Sequence, residues 1–147
     1  MTTYSFKDLT GAFVHPLVGS YILAGGNVGL GQITITNATD RTAHDTAADG
    51  SVMVSYIAGD SGAATIEVQQ TSDLHSFLLG WFNQLKTLAD SGDVSLWAAG
   101  VLSLRNLEDG TVHTLTGVSP SKVPDKVYQA QGQRVTWNLM AAAVISE

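Results

Sequence analysis

Two short segments carry side chains that could do covalent chemistry. Ser61 lies in Gly59-Asp60-Ser61-Gly62, and His44 lies upstream in Thr42-Ala43-His44-Asp45. A serine nucleophile needs an imidazole within hydrogen-bond reach, a third group to orient that imidazole and donors for the oxyanion. Only one short apolar segment, Val52 to Ile57, separates the two candidates. Gly, Asp and Ser are also the residues a tight turn prefers. A turn is therefore the expectation for this tetrapeptide.

The tetrapeptide matches the nucleophile segment of trypsin-like serine proteases, but those enzymes place their histidine segment most of a domain away. The next residues, Ala63-Ala64-Thr65, also lack that family's further glycine and proline. The cluster Gly25-Gly26-Asn27-Val28-Gly29-Leu30-Gly31 invites a phosphate-binding reading. That reading needs a helix directly after the glycines, and a β pattern follows instead. His15, His44, His75 and His113 share no ligand spacing, and Asp40, Asp45 and Asp49 depart from a calcium loop. No catalytic, cofactor or metal site is expected.

The totals narrow the class. With 147 residues, the chain is expected to form a single domain. It has no cysteine, which excludes a disulfide framework and a thiolate metal site. Lys and Arg number 7 against 13 Asp and Glu, for a net charge of −6. A protein that grips nucleic acid by its phosphates usually has the opposite balance. Nothing resembles a signal peptide, and no apolar run approaches the roughly 20 residues of a membrane span. Charged residues make up only 14%, against about 25% in an average domain, so the surface is expected to meet partners.

The elements that would position any site are mostly β. Residues 1–18 read as an irregular arm over a neighbour or a short strand, and residues 37–51 as a long exposed loop. Gln32 to Thr36 alternates polar and apolar, as does Ala64 to Gln69. Val52 to Ile57 reads as a strand joined to the latter by a Gly59–Gly62 hairpin turn. One helix stands out: Leu74, Phe77, Leu78, Trp81, Phe82, Leu85 and Leu88 fall on one stripe after a Ser72 or Asp73 cap. That stripe should cover a sheet and complete the core. Leu96 to Leu104, Thr111 to Thr116 and Arg134 to Ile145 read as further strands, with Asp109-Gly110 as a turn. The class expected is mainly β with one prominent α-helix.

The segment Ile66-Glu67-Val68-Gln69-Gln70-Thr71-Ser72, running straight into Leu74, Leu78 and Leu85, resembles the tail tube proteins of contractile-tailed bacteriophages. Asp49-Gly50-Ser51-Val52 is similar to that family's loop-to-strand junction, and the likeness spans residues 20–145. The resemblance implies a small β-barrel or sandwich flanked by a helix, tail-tube-like across 1–147. It implies a homo-oligomer of hexameric rings stacked into a tube, sharing its architecture with the type VI secretion tube. Tail sheath protein would surround it, and tape-measure protein and DNA would pass through its lumen without specific binding. No membrane is involved; the subunit would assemble in the host cytoplasm and end in the virion tail.

Within that arrangement, Ile66 and Val68 should face the core beneath the helix. Thr65, Glu67 and Gln69 then point the other way and line the lumen, joined by Thr34 and Thr36. Glu67 would form a ring of negative charge. Asp40, Arg41, His44, Asp45 and Asp49 are the candidates for contacts between rings, together with the arm. The alternatives are a secretion-tube or tail-terminator subunit, a carbohydrate- or protein-binding β-domain, and a small hydrolase built on Ser61.

Overall fold

A computed structural model describes residues 3–24 and 29–147. The chain forms a short 3-10 turn Phe6–Asp8, then β1 Leu9–His15, β2 Gly19–Ala24, β3 Leu30–Asn37, β4 Thr42–Thr46, β5 Val52–Tyr56 and β6 Gly62–Gln69. Helix α1 Asp73–Asp90 follows, and the chain ends with β7 Gly100–Asn106, β8 Val112–Pro120, β9 Arg134–Ala141 and β10 Ala143–Ser146. Eight strands make one antiparallel sheet with the order β2-β1-β7-β8-β9-β6-β3, and β10 pairs with β8 off that path. Among the described residues the path does not close on itself, so of the barrel or sandwich expected, no closed barrel forms. Strands β4 and β5 form a separate two-stranded ribbon.

Alternation sets the core. In β6, Ala64, Ile66 and Val68 are buried; in β9, Val135, Trp137 and Leu139 are buried, with polar residues between them. The other end of the sheet contributes Phe13, Leu23, Leu102, Leu104, Leu115 and Val118. Helix α1 brings Leu74, Leu78, Trp81 and Leu85 into the same cluster, while Phe77 and Phe82 are half-buried against it. The helix starts where the Ser72 hydroxyl accepts from the Leu74 N–H at 3.1 Å. It ends where Gly92, at φ 97, lets the Asp93 N–H reach back to Leu88 O at 3.0 Å.

Four expectations need correction. Residues 3–18 are not an arm: β1 lies inside the sheet between β2 and β7, with Phe13 and His15 fully buried. Gly11 makes this possible, because a side chain there would meet the Ser103 carbonyl at 2.1 Å. Residues 37–51 are not a structureless loop, since they contain β4 and the turn of the ribbon. The Gly59–Gly62 segment is no hairpin turn: β5 pairs only with β4, whereas β6 pairs with β3 and β9. The stretch from Arg134 to Ile145 is two strands. After Ala141 the chain leaves β6 and crosses to β8, past Gly117, where an added Cβ would lie 2.6 Å from that of Ala142. Of the glycine cluster, residues 25–28 lie outside the described residues.

Candidate functional site

One face of β3-β6-β9 is apolar and buried under the rest of the fold; the opposite face is polar. Register places side chains on that face in cross-strand rows: Gln32–Glu67–Thr136, Thr34–Thr65–Asn138 and Thr36–Ala63–Met140. Thr34, Thr36 and Gln69 are exposed, and Thr65 and Glu67 are half-exposed. The Thr65 hydroxyl donates to Asn138 Oδ1 at 3.2 Å, and Gln32 Nε2 donates to Thr34 Oγ1 at 3.3 Å. These short polar side chains bond sideways along the sheet and leave a low, hydroxyl- and amide-bearing wall.

Glu67 is not a bare carboxylate. Arg134 Nη1 donates to Glu67 Oε1 at 3.1 Å, from the start of the adjacent strand β9. Gly31 makes room for that guanidinium, because a Cβ there would come within 2.9 Å of Nη1. The pair sets a cation beside the acid on this face, where Glu67 alone was expected. The strand alternation of Arg134-Val135-Thr136-Trp137-Asn138 carried the signal for Arg134, Thr136 and Asn138 as members of the same face.

The second feature is the ribbon. All ten residues of β4 and β5 are exposed, including Val52, Val54 and Tyr56. Cross-strand register sets these three opposite Thr46, His44 and Thr42, on one face. Ala43, Asp45, Met53 and Ser55 occupy the other. At its base, Arg41 pairs with Asp60, the Ile57 N–H reaches Arg41 O at 2.8 Å and the Ala38 N–H reaches Ser61 O at 2.9 Å. At its tip, Asp49 accepts from the Ser51 N–H at 2.9 Å, and that backbone bond holds its carboxyl below the usual carboxylate range. Asp40 lines a groove at the ribbon base with Asn37, Thr39, Arg41 and Gly59. Thus Asp40, Arg41, Asp45 and Asp49 all belong to the ribbon or its base.

Ser61 and His44 do not form a nucleophile–base pair. The Ser61 hydroxyl meets Thr39 Oγ1 at 3.4 Å, and His44 stands on the ribbon opposite Val54. The two buried histidines are held by structural bonds. His15 Nδ1 accepts from the Leu17 N–H at 3.1 Å, which leaves Nε2 to donate to Leu96 O at 2.8 Å. His75 Nδ1 accepts from Trp137 Nε1 at 3.1 Å. Burial pushes the His75 imidazole below its ordinary pKa, and Lys126 adds to the effect. A groove of about 360 Å³ beside α1 is lined by Leu17, Asn83, Gln84, Thr87 and Leu88, none of which titrates. Among the described residues, no three His, Asp or Glu side chains gather to hold a metal, and no helix is long and apolar enough to cross a membrane.

Comparison with known proteins yields one family and a set of folds. The family model of the bacteriophage PhiTE tail tube protein matches residues 1–146. No curated protein matches by sequence. Among solved structures, the sheath/tube terminator of an extracellular contractile injection system (PVC, extended state) superposes with a TM-score of 0.66 at 9% identity, covering 100% of this chain and 98% of that one. The sheath–tube complex of the PVC system gives 0.62 at 11% identity, covering 99% and 91%. The baseplate of the anti-feeding prophage gives 0.56 at 15% identity, covering 100% and 96%. At these identities the likeness is one of fold.

Proposed function

The chain belongs to the bacteriophage PhiTE tail tube protein family, a structural, non-enzymatic component of the virion tail, and from that premise we propose that it is the repeating wall of a DNA conduit. Six copies close into a ring, and rings stack into a hollow tube. The polar face of β3-β6-β9 lines the channel, and α1 lies outside it. The observation that carries this reading is the two-sidedness of that sheet. One face is sealed by apolar residues beneath the fold; the other bears hydroxyls, amides and one neutralised ion pair. DNA carries one negative charge per about 1.7 Å of axis and binds cationic surfaces through counterion release. A wall without unpaired Lys or Arg offers it no such hold. Tape-measure protein and DNA therefore pass without specific binding.

The outer surface, including α1 and the groove beside Leu17, meets the tail sheath. The likeness to a chain from a sheath–tube complex supports that partner. Assembly takes place in the host cytoplasm, before the tail joins the virion. The ribbon β4–β5 and its base, with Asp40, Arg41, His44, Asp45 and Asp49, make the contacts between copies. A two-stranded ribbon is marginal in water by itself, so one with both faces exposed is completed by a neighbour. Electron microscopy of the purified protein tests the reading: six-fold rings or tubes are expected, and dispersed monomers at all concentrations would instead mark a solitary binding domain.

A further inference from the structure

We propose that the ribbon β4–β5 of one subunit docks against the segment 121–133 of a second copy, in a head-to-tail contact. The inference rests on the tube reading and names the receptor that reading leaves open. The segment 121–133 joins β8 to β9 and contains neither helix nor strand. Uninterrupted stretches of that length in a compact domain are usually functional or linkers. It exposes Val123, Val127 and Tyr128, with Tyr128 at 78%. Lys126 lies 5.3 Å from the Tyr128 ring centroid, and Lys122 is also exposed. Two lysines against one carboxylate, Asp125, make this segment cationic in an acidic chain.

The ribbon is its complement. Residues 42–56 carry Asp45 and Asp49 and neither Lys nor Arg. Val52, Val54 and Tyr56 are 52%, 64% and 79% exposed and share one face. Each partner thus offers a cluster of apolar side chains and the opposite sign of charge. Charges steer such partners from about 10 Å at 0.1 M salt, and the apolar faces then make the contact.

Strand register explains why the partner is a second copy. The ribbon leaves the sheet where Asn37, Gly62 and Ala141 stand side by side. The segment 121–133 starts beside Asn138, whose carbonyl accepts from the Ser121 N–H at 3.1 Å, and runs on past Lys126, which acts on His75, to enter β9 at Arg134, paired with Gln69 at the far end of β6. Seven residue steps along β6 separate these ends, about 24 Å at 3.4 Å per residue. The ribbon continues beyond the Gly62 end, away from its own subunit's segment. A protein with complementary patches at opposite ends associates head to tail, which generates closed rings or open stacks.

The absence of native cysteine makes a direct test available. A Val54→Cys, Val127→Cys double variant is assembled, oxidised and run on a non-reducing gel. Covalent ladders longer than a dimer are expected, because each subunit carries both halves of the contact. Co-assembled single variants should give dimers only, and Val127→Cys alone should stay monomeric. Tubes of the double variant that remain monomeric on the gel would overturn the docking while leaving the tube reading intact. Dispersed monomers from the wild-type chain would defeat both. A charge exchange adds a second readout: Asp49→Lys, at the ribbon tip, or Lys122→Asp alone should slow tube growth several-fold at low salt, and the two together should restore it. No recovery in the combined variant, with each single variant folded, would also overturn the proposal.

Discussion

The two buried tryptophans should respond unequally to the same substitution. Trp81 and Trp137 are both fully buried. Trp137 Nε1 donates to His75 Nδ1 at 3.1 Å, whereas Trp81 Nε1 has no hydrogen-bond partner among the described residues. Trp81 packs edge-on against Phe13, with ring centroids 4.8 Å apart. Trp81→Phe keeps an aromatic ring in that contact and removes a buried donor that is unsatisfied. The lost volume costs about 1–2 kcal/mol, and deleting the orphan N–H offsets about 1 kcal/mol or more of it. Trp137→Phe loses the same volume and strands the His75 acceptor, adding about 1–3 kcal/mol. The difference between the variants should therefore be about 2–4 kcal/mol. For a domain near 150 residues each kcal/mol is worth about 2–4 °C in Tm. Thermal melts should place Trp137→Phe at least about 4 °C below Trp81→Phe. Equal melting temperatures, or the reverse order, would refute the hydrogen-bond reasoning.

Glu67→Gln should fold normally, since an exposed pair contributes about 0–1 kcal/mol, but it leaves the Arg134 charge unbalanced on the polar face of the sheet. DNA release from particles carrying it should slow, most strongly at low salt; release rates independent of salt and equal to wild type would contradict the lumen assignment. The depressed His75 pKa sets a pH dependence of known sign. The unfolded chain takes up the proton near the ordinary value of about 6.5 and the folded chain only below it. Stability should thus fall as pH drops from about 6.5 towards the folded value, and denaturant melts of His75→Asn should show a shallower slope there. Replacing residues 43–55 with a short Gly-Ser turn should leave the monomer melt within a few degrees of wild type, because the ribbon adds nothing to the core, while sedimentation should show loss of tubes. Persistence of long tubes in that variant would remove the ribbon from assembly.

What could be read in the sequence followed from which residues are buried on one side only. Helix α1 and strands β6 and β9 each have one sealed face and β3 a half-buried one, so their apolar residues fall into period. Strand β4 has none: Thr42-Ala43-His44-Asp45-Thr46 is exposed on both faces, and without burial there is no alternation to see. Strand β1 hides for a different reason. Gly11 is bare because β7 approaches closely, and only Phe13 and His15 record the burial. The switch from β9 to β10 is invisible because small and apolar residues continue through Ala141-Ala142-Ala143 while the pairing partner changes. Glu67 was visible as a polar-face residue; its neutralisation was not, because Arg134 lies 67 residues away and meets it only through register.

The central claim is geometric: one sheet face lines a channel and the helix faces out. Cryo-electron microscopy of the assembled protein, taken to side-chain detail, tests it directly. The account predicts a hollow six-fold tube with Thr34, Thr65, Glu67, Arg134 and Asn138 on the inner wall and α1 on the outer surface. A tube with α1 along the channel and the Glu67–Arg134 pair on the outside would contradict it.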